Sequence, residues 1–150
     1  MPFAEWGDNC DLGIEAFDRD HKRLLALLNK LHHAVEAGHS QEVLARVLAA
    51  LNIYVNFHFT EEEELFLRTN YPDYEPHRRE HRKLTAAVEE IRQDFEKSAS
   101  DALSQRVLEF LRGWLYDHHI RFDRAFAAYL EANRATLELQ DSSASARAAQ

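Results

Sequence analysis

Apolar residues recur every three or four positions along most of the chain, which is the period of an amphipathic α-helix. Asp18, Ser40 and Asp101 are plausible N-caps, and Gly38 is a plausible stop for the first helix. The segment 70–76 contains two prolines and predicts a turn, because proline is disfavoured inside a helix. The pattern therefore predicts four helices, over about residues 18–37, 40–67, 76–97 and 101–132.

The connections between these helices are short, and short connections join antiparallel neighbours. The predicted fold is all-α, an up-down-up-down antiparallel four-helix bundle over residues 18–132. Residues 1–17 lack a clear helical period and are expected to form an N-terminal arm. Residues 133–150 are expected to hold the end of the last helix and a disordered tail, because the final stretch is small and polar without an apolar stripe.

The apolar face of each predicted helix also carries imidazole or carboxylate groups. At about 100° per residue, His21, His58, His77 and His118 each fall on the leucine-rich stripe of their own helix. Burying such groups without partners is costly, whereas imidazoles and carboxylates are good ligands for transition metals. The sequence therefore predicts a pair of metal ions inside the bundle, and the candidate ligands are His21, His58, Glu62, His77, His81, His118 and Asp123.

Two positions in this set are ambiguous by helical geometry alone. Glu61 lies three residues after His58 and could replace Glu62, since both spacings face the same side of a helix. Asp123 lies five residues after His118, about 140° around an ideal helix, whereas it lies four residues after His119. The apolar stripe favours His118, and a local π-type widening of the helix would bring Asp123 back onto its face.

Other polar residues repeat the four-residue spacing of His58 and Glu62 but are not expected to belong to the metal site. His32 and Glu36 are also four apart, but His32 lies roughly 16 Å along the helix axis from His21 at 1.5 Å per residue. His32 is therefore expected to be a hydrogen-bonded histidine of the core or the bundle end. A further acidic run is expected to be a solvated anionic face, because glutamate is rarely buried unpaired; its members are Glu61, Glu63 and Glu64.

Composition narrows the functional classes. A chain of 150 residues with a net charge of −8 lacks the basic face that a nucleic-acid binder needs. Cys10 is the only cysteine, which excludes an internal disulfide and a cysteine-based zinc site. The sequence shows neither a signal peptide nor an apolar run of the roughly 18 residues that a membrane span needs. A cytoplasmic protein without a membrane span, most simply a monomer, is the expectation.

Taken in order, the motifs match a known family. They are Trp6, Asp18-x-x-His21, His58-Phe59-x-x-Glu62-Glu63, Tyr71-Pro72-x-Tyr74-x-x-His77-x-x-x-His81 and Trp114-Leu115-x-x-His118-x-x-x-x-Asp123. This set resembles the hemerythrins, and more closely their single-domain bacterial form, from about residue 5 to residue 130. All seven expected ligand positions are filled, including the five-residue step to Asp123.

The resemblance implies a non-haem di-iron centre with an oxo or hydroxo bridge. His77, His81 and His118 would hold one iron, and His21 and His58 the other. Two carboxylates, Glu62 and Asp123, would bridge both irons, which settles the two ambiguities toward Glu62 and His118. One coordination position would remain for O₂, with nitric oxide or small anions as other ligands of that position. The implied function is reversible O₂ binding for transport, storage or delivery, by a protein that is not an enzyme.

Reversible O₂ binding also needs a dry pocket, and helical phase suggests its walls. The residues expected to line that pocket are Leu24, Leu25, Leu28, Trp114 and Leu115. Helical phase leaves the direction of Tyr116 open, and a phenol in the pocket would favour redox chemistry. Two alternative functions therefore remain beside O₂ carriage: a redox enzyme acting on peroxide or nitric oxide, and a sensor of O₂ or redox state.

Overall fold

The computed structural model describes residues 10–137, apart from the side chains of Leu115, Tyr116, His119 and Ile120. Most of the expected arm (residues 1–9) and of the expected tail (residues 138–150) thus lie outside the described residues. Residues 10–137 contain helices and no strand. The helices are α1 (Glu15–Glu36), α2 (Ser40–Arg68), α3 (Tyr74–Lys97), α4 (Asp101–His118), a π-helical segment (His119–Asp123) and α5 (Arg124–Ala132).

The helices form the predicted all-α bundle. The α1 helix packs against α2 and α4, and α3 packs against α2 and α4, so that four helices surround one core. The π-helical segment and α5 follow α4 without a break, and together the three form the fourth helix of the bundle. At the centre of the core lie leucines that are at most 1% exposed, and these include Leu28, Leu31, Leu44, Leu51 and Leu111. Each contributes about 1.5–3 kcal/mol by leaving water, before the entropic cost of folding is counted.

A second, aromatic cluster closes one end of the bundle. Phe17 of α1 and Phe66 of α2 pack there with Phe126 of α5. Tyr129 lies at the edge of this cluster, and its hydroxyl donates to the carbonyl oxygen of Thr69. This hydrogen bond connects α5 to the turn between α2 and α3 and helps to fix the position of α5 at this end of the bundle.

The first helix begins earlier than predicted. It starts at Glu15 rather than after Asp18, and Asp18 lies within its first turn. The Asp18 carboxylate accepts hydrogen bonds from the backbone N–H groups of Leu12 (2.9 Å) and Gly13 (3.2 Å), which precede the helix. Asp18 therefore secures the incoming chain instead of capping the helix.

The predicted caps of the second and fourth helices contact each other. The Ser40 hydroxyl donates to Asp101 Oδ1 at 2.7 Å, and the Ser104 hydroxyl donates to Ser40 Oγ at 3.0 Å. Ser100 takes the capping role expected of Asp101, because its hydroxyl accepts from the backbone N–H of Leu103 at 3.0 Å. The two N-termini are thus joined at the end of the bundle opposite to the aromatic cluster.

The third helix also starts earlier than predicted, at Tyr74 rather than near Pro76. Pro76 lies in its first turn, where a missing N–H costs nothing because the first N–H groups of a helix have no partner within it. Gly38 has a φ of +80°, as expected for the residue that ends the first helix.

The α2 helix is long and apolar enough by composition to cross a membrane, and it is the one helix in residues 10–137 of which this is true. It lies inside the bundle, where it contacts α1, α3 and α4. It also supplies two of the predicted metal ligands, His58 and Glu62. Part of its apolar surface is buried in the core, whereas three of its large apolar side chains are exposed, and these are Ile53, Phe57 and Leu67.

Candidate metal centre

All seven predicted ligands lie buried, between the leucine core and the aromatic cluster. None is more than 3% exposed, although every one of them is polar. The ambiguity between Glu61 and Glu62 is resolved, because Glu62 is fully buried and Glu61 is exposed. His118 and His119 were the two candidates for one ligand position, and His118 is 3% exposed and faces Asp123.

Three histidines converge on one side of the cluster. Nε2 of His77 lies 3.4 Å from Nε2 of His118. The His81 ring centroid is 4.6 Å from that of His77 and 5.1 Å from that of His118. Ligand atoms of these three histidines and of two carboxylates lie within 4.8 Å of one another, and the carboxylates are Glu62 and Asp123. This spacing suits donors that surround one ion.

The other two histidines occupy the opposite side. The rings of His21 and His58 are 5.1 Å apart between centroids and approach edge to face. Nε2 of His21 lies 3.2 Å from Asp123 Oδ2, and Nε2 of His58 lies 3.5 Å from Glu62 Oε2. The five histidines therefore divide into a group of three and a group of two.

The two carboxylates lie between these groups. Asp123 directs Oδ1 toward His77 (3.0 Å) and His118 (3.2 Å), while its Oδ2 faces His21. Glu62 places Oε1 3.4 Å from His77 and places Oε2 between His58 (3.5 Å) and His81 (3.4 Å). Each carboxylate contacts both groups of histidines, which is the placement that a bridging ligand requires.

The position of Asp123 depends on the π-helical segment. Residues His119–Asp123 depart from the α-helical hydrogen-bond pattern at the place where the sequence predicted a widened turn. In a π-turn residue i+5 falls over residue i, whereas in an α-helix it lies about 140° away. The segment brings Asp123 onto the face of His118, with 3.2 Å between its Oδ1 and Nε2.

The donor atoms fit a metal better than they fit one another. Nε2 of His58, Nε2 of His81 and both carboxylate oxygens of Glu62 are buried without a hydrogen bond in acceptable geometry, despite separations of 3.4–3.5 Å. Buried polar groups are almost always hydrogen-bonded, so such a concentration indicates a missing common partner. Imidazole nitrogens and carboxylate oxygens are a donor set that suits iron.

Asp20 contacts one of the predicted ligands, and the sequence did not reveal this contact. Its Oδ2 lies 2.9 Å from Nδ1 of His58. Burial disfavours the His58 imidazolium, but the hydrogen bond to Asp20 and the nearby Glu62 carboxylate outweigh it and raise the pKa of His58 to about 9. The hydrogen bond to His58 lowers the pKa of Asp20 in turn. Because the Asp20 carboxylate accepts the Nδ1 proton, Nε2 is the nitrogen that faces the cluster and that would lose its proton to bind a metal.

Glu63 has a similar place beside His81, so the expectation of a solvated side chain at this position is wrong. Glu63 is 24% exposed, and its Oε2 lies 3.5 Å from Nδ1 of His81. Its other oxygen lies 3.4 Å from Nε of Arg78. Burial lowers the pKa of His81, but Glu62 and Glu63 together raise it to about 8.

Aromatic rings pack directly on the imidazoles. Phe59 lies parallel to His81 with 3.9 Å between centroids, and Phe66 lies 4.5 Å from His77. Tyr54 stacks on His58 at 4.5 Å, and burial raises the pKa of Tyr54 well above its usual range. Phe59 directly follows His58 in the sequence, but helical phase alone did not reveal its contact with another helix. These rings hold the imidazoles in fixed orientations and keep water from them.

Four of the five predicted pocket residues are buried in the leucine core, and they are Leu24, Leu25, Leu28 and Trp114. Trp114 contacts Tyr54 edge to face, with 5.5 Å between ring centroids. The side chain of the fifth, Leu115, lies outside the described residues, as does that of Tyr116. The role of these residues in lining an O₂ pocket remains a prediction.

His32 and Glu36, which have the same spacing as His58 and Glu62, lie apart from the predicted metal ligands, as expected. Nε2 of His32 contacts Oε1 of Glu36 at 3.4 Å, and the side chain of His32 is 24% exposed. Neither residue belongs to the group of close ligand atoms found among the described residues. Equal spacing in the sequence thus produced an ordinary surface contact in one place and a buried site in another.

Comparison with known proteins identifies the family of this fold and site. Residues 12–130 match the family model described as the hemerythrin HHE cation binding domain. A bacteriohemerythrin of Stenotrophomonas maltophilia (strain R551-3) is 30% identical over 133 residues, which cover 89% of this chain and 85% of the relative. The bacteriohemerythrin of Methylococcus capsulatus is 30% identical over 86% of this chain and 94% of its own length. That of Pseudomonas aeruginosa (strain LESB58) is 31% identical over 89% and 84%.

Proposed function

We propose that this chain, which belongs to the hemerythrin family, binds O₂ reversibly at two iron ions held by its seven buried imidazole and carboxylate groups. The family is one of iron-binding proteins with O₂-related function. We propose in addition that the site holds two irons, that the seven buried groups are their ligands, and that O₂ binding is reversible. The observation that carries the proposal is the division of the five histidines into a group of three and a group of two. Each of the two carboxylates, Glu62 and Asp123, contacts both groups.

The division of the histidines supports an open position on one iron. His77, His81 and His118 would hold one ion, and His21 and His58 the other, with Glu62 and Asp123 shared. The second ion would thus have one protein ligand fewer than the first. An incompletely coordinated ion is what distinguishes a reactive metal site from a closed structural one. When bound, two ferrous ions supply the electrons that O₂ binding requires.

The protein's own part is to position donors and to exclude water and protons. The rings of Phe59, Phe66 and Tyr54 pack against the imidazoles, and Trp114 packs behind Tyr54. Such an apolar surrounding limits access of solvent, which favours release of O₂ over its reduction. The phenol of Tyr54 is protonated at neutral pH, and burial raises its pKa further, so it adds no negative charge beside the site.

Tyr54 is also the observation that favours a second candidate function. A phenol ring stacked on His58 with 4.5 Å between the ring centroids is close enough to pass an electron to the site through the imidazole. The alternative is therefore a redox activity on peroxide or nitric oxide at the same centre. The rate of autoxidation separates the two functions: slow decay of the oxygenated protein supports carriage, and rapid decay with turnover of peroxide or nitric oxide supports an enzyme.

The test is an iron determination followed by optical spectroscopy. We expect about two irons per chain, and a visible absorption band that appears when the reduced protein meets air and disappears on removal of O₂. A protein that contains only zinc, or no metal, would contradict the proposal. An irreversible spectral change with iron present would favour the redox function.

A further inference from the structure

A groove between α1 and α2 lies on the outer side of His58. Its volume is about 390 Å³, within the range of about 300–1,000 Å³ that is usual for small-molecule sites. The lining residues from α1 are Arg19, Asp20, Arg23, Leu24 and Leu27, and those from α2 are Ala50, Ile53, Tyr54, Phe57, His58 and Glu61. Because α1 and α2 run antiparallel, with Asp20 beside His58, the groove has a polar end and an apolar end.

The polar end carries two arginines that are available to a ligand. Arg19 and Arg23 are one helical turn apart and exposed, and both lie near enough to the Asp20 carboxylate for their charges to lower its pKa. The acidic groups of the groove are Asp20, which is already paired with His58, and the exposed Glu61. The arginines thus present two exposed cationic groups beside an apolar wall, with Asp20 and Glu61 as the neighbouring anionic groups.

The end of the groove away from the arginines is apolar. On α2, Phe57 lies level with the two arginines and Ile53 lies one turn further toward the apolar end; they are 67% and 59% exposed, which is unusual for side chains of this size. Leu27 and Ala50 close the far end. From Arg19 to Leu27 is about 12 Å at 1.5 Å per residue. A molecule with an anionic head and an apolar body of about that length would match both ends at once.

We propose that this groove binds a small amphipathic carboxylate, with its carboxylate against Arg19 and Arg23 and its apolar body along Phe57, Ile53 and Leu27. A small molecule suits the groove better than a protein partner. Among the side chains that the structure describes, the large apolar ones that are exposed are Ile53, Phe57 and Leu67, whereas a stable protein interface uses about 20–30 residues a side.

The groove is also connected to the metal centre. Asp20 accepts a hydrogen bond from His58, and Tyr54 stacks on the same ring, and both residues line the groove. A carboxylate bound beside Asp20 would change the electrostatic surroundings of His58. This part rests on the proposed function: the bound molecule would act as an effector that shifts the O₂ affinity of the iron-loaded protein.

Calorimetric titration of the iron-loaded full chain with octanoate tests the site. We expect saturable one-to-one binding, and much weaker binding of the uncharged 1-octanol. Arg19→Gln and Arg23→Gln should each weaken octanoate binding by at least about fivefold, while Arg46→Gln, an exposed arginine of α2 outside the groove, should leave it unchanged. Ala50→Phe should block the apolar end and abolish binding without altering any charge.

Three results would overturn the proposal. These are the absence of saturable binding at millimolar octanoate, equal binding of octanol, and equal effects of Arg23→Gln and Arg46→Gln. The first would leave a protein partner as the alternative occupant. Because heat of binding is measured without O₂, failure of the groove proposal is distinct from failure of O₂ binding. A shift of the O₂ affinity by octanoate that is lost in Arg23→Gln would support the coupling.

Discussion

The Asp20 carboxylate accepts a hydrogen bond from Nδ1 of His58, with 2.9 Å between the two atoms, from a helix different from the one that carries His58. This places the proton on Nδ1 and leaves Nε2 to a metal. We expect Asp20→Ala to lower the iron affinity by about 10–100-fold, the range typical for the loss of such a partner. Asp20→Asn, which keeps an acceptor, should recover most of the affinity but shift the reduction potential.

Competition with a chelator followed by iron determination measures the affinity, and spectroelectrochemistry measures the potential. Glu64→Gln is the matched control, since Glu64 is exposed on α2. If Asp20→Ala and Glu64→Gln retain iron equally well, the hydrogen bond from His58 has no role in holding the metal.

Helical periodicity could identify the residues that face the core, but not their partners on other helices. It placed His58 and His118 correctly, because the apolar residues of the same helix mark the inner face. It missed Asp20, which precedes His21 and lies on the flank of its helix, where only the packing of α1 on α2 gives it a partner. It also assigned Ser40 and Asp101 to local caps, although the two are 61 residues apart in sequence and bind each other. Contacts between distant segments depend on how the helices pack, which a local pattern does not contain.

A histidine in the cluster and a histidine outside it should respond differently to the same substitution. His77 contacts both carboxylates of the site, whereas His32 contacts the exposed Glu36 at the other end of α1. We therefore expect His77→Ala to lose most of the iron and His32→Ala to retain about two irons per chain. Elemental analysis of both purified variants, with circular dichroism to verify folding, makes the comparison. Loss of iron from a folded His32→Ala protein would mean that the site has been assigned wrongly.

The stability of the protein after removal of iron should fall as the pH rises above neutrality. Folding raises the pKa of His58 from 6.5 to about 9 and that of His81 from 6.5 to about 8. A raised pKa means that the folded state holds its protons more tightly, so the stabilisation is complete below pH 6.5 and is lost between there and pH 9. A tenfold change in proton affinity corresponds to about 1.4 kcal/mol, so the loss should amount to a few kcal/mol.

Iron should reverse this dependence, because a metal binds the deprotonated imidazole and competes with the same protons. Urea unfolding of the metal-free and iron-loaded forms at pH 6.5 and pH 9.5 measures both effects. We expect the free energy of unfolding to decrease with pH for the metal-free protein, and the apparent iron affinity to increase. A metal-free protein whose stability is equal at the two pH values would show that folding does not raise the pKa of these histidines.

The spacing set by the π-helical segment should be required for the metal centre, because the wider turn brings Asp123 onto the face of His118. Insertion of one alanine after Arg121, which is exposed within His119–Asp123, would rotate the residues that follow by about 100° and raise them by about 1.5 Å relative to α4. Deletion of Arg121 would instead leave Asp123 four residues after His118 in an ordinary α-helix, about 40° around it, which keeps the carboxylate on the same face. We expect the insertion variant to hold less than one iron per chain, the deletion variant to hold more iron than the insertion variant, and Arg121→Ala, which keeps the length, to hold about two. An insertion variant with full iron content and an unchanged absorption spectrum would show that the placement of Asp123 is dispensable.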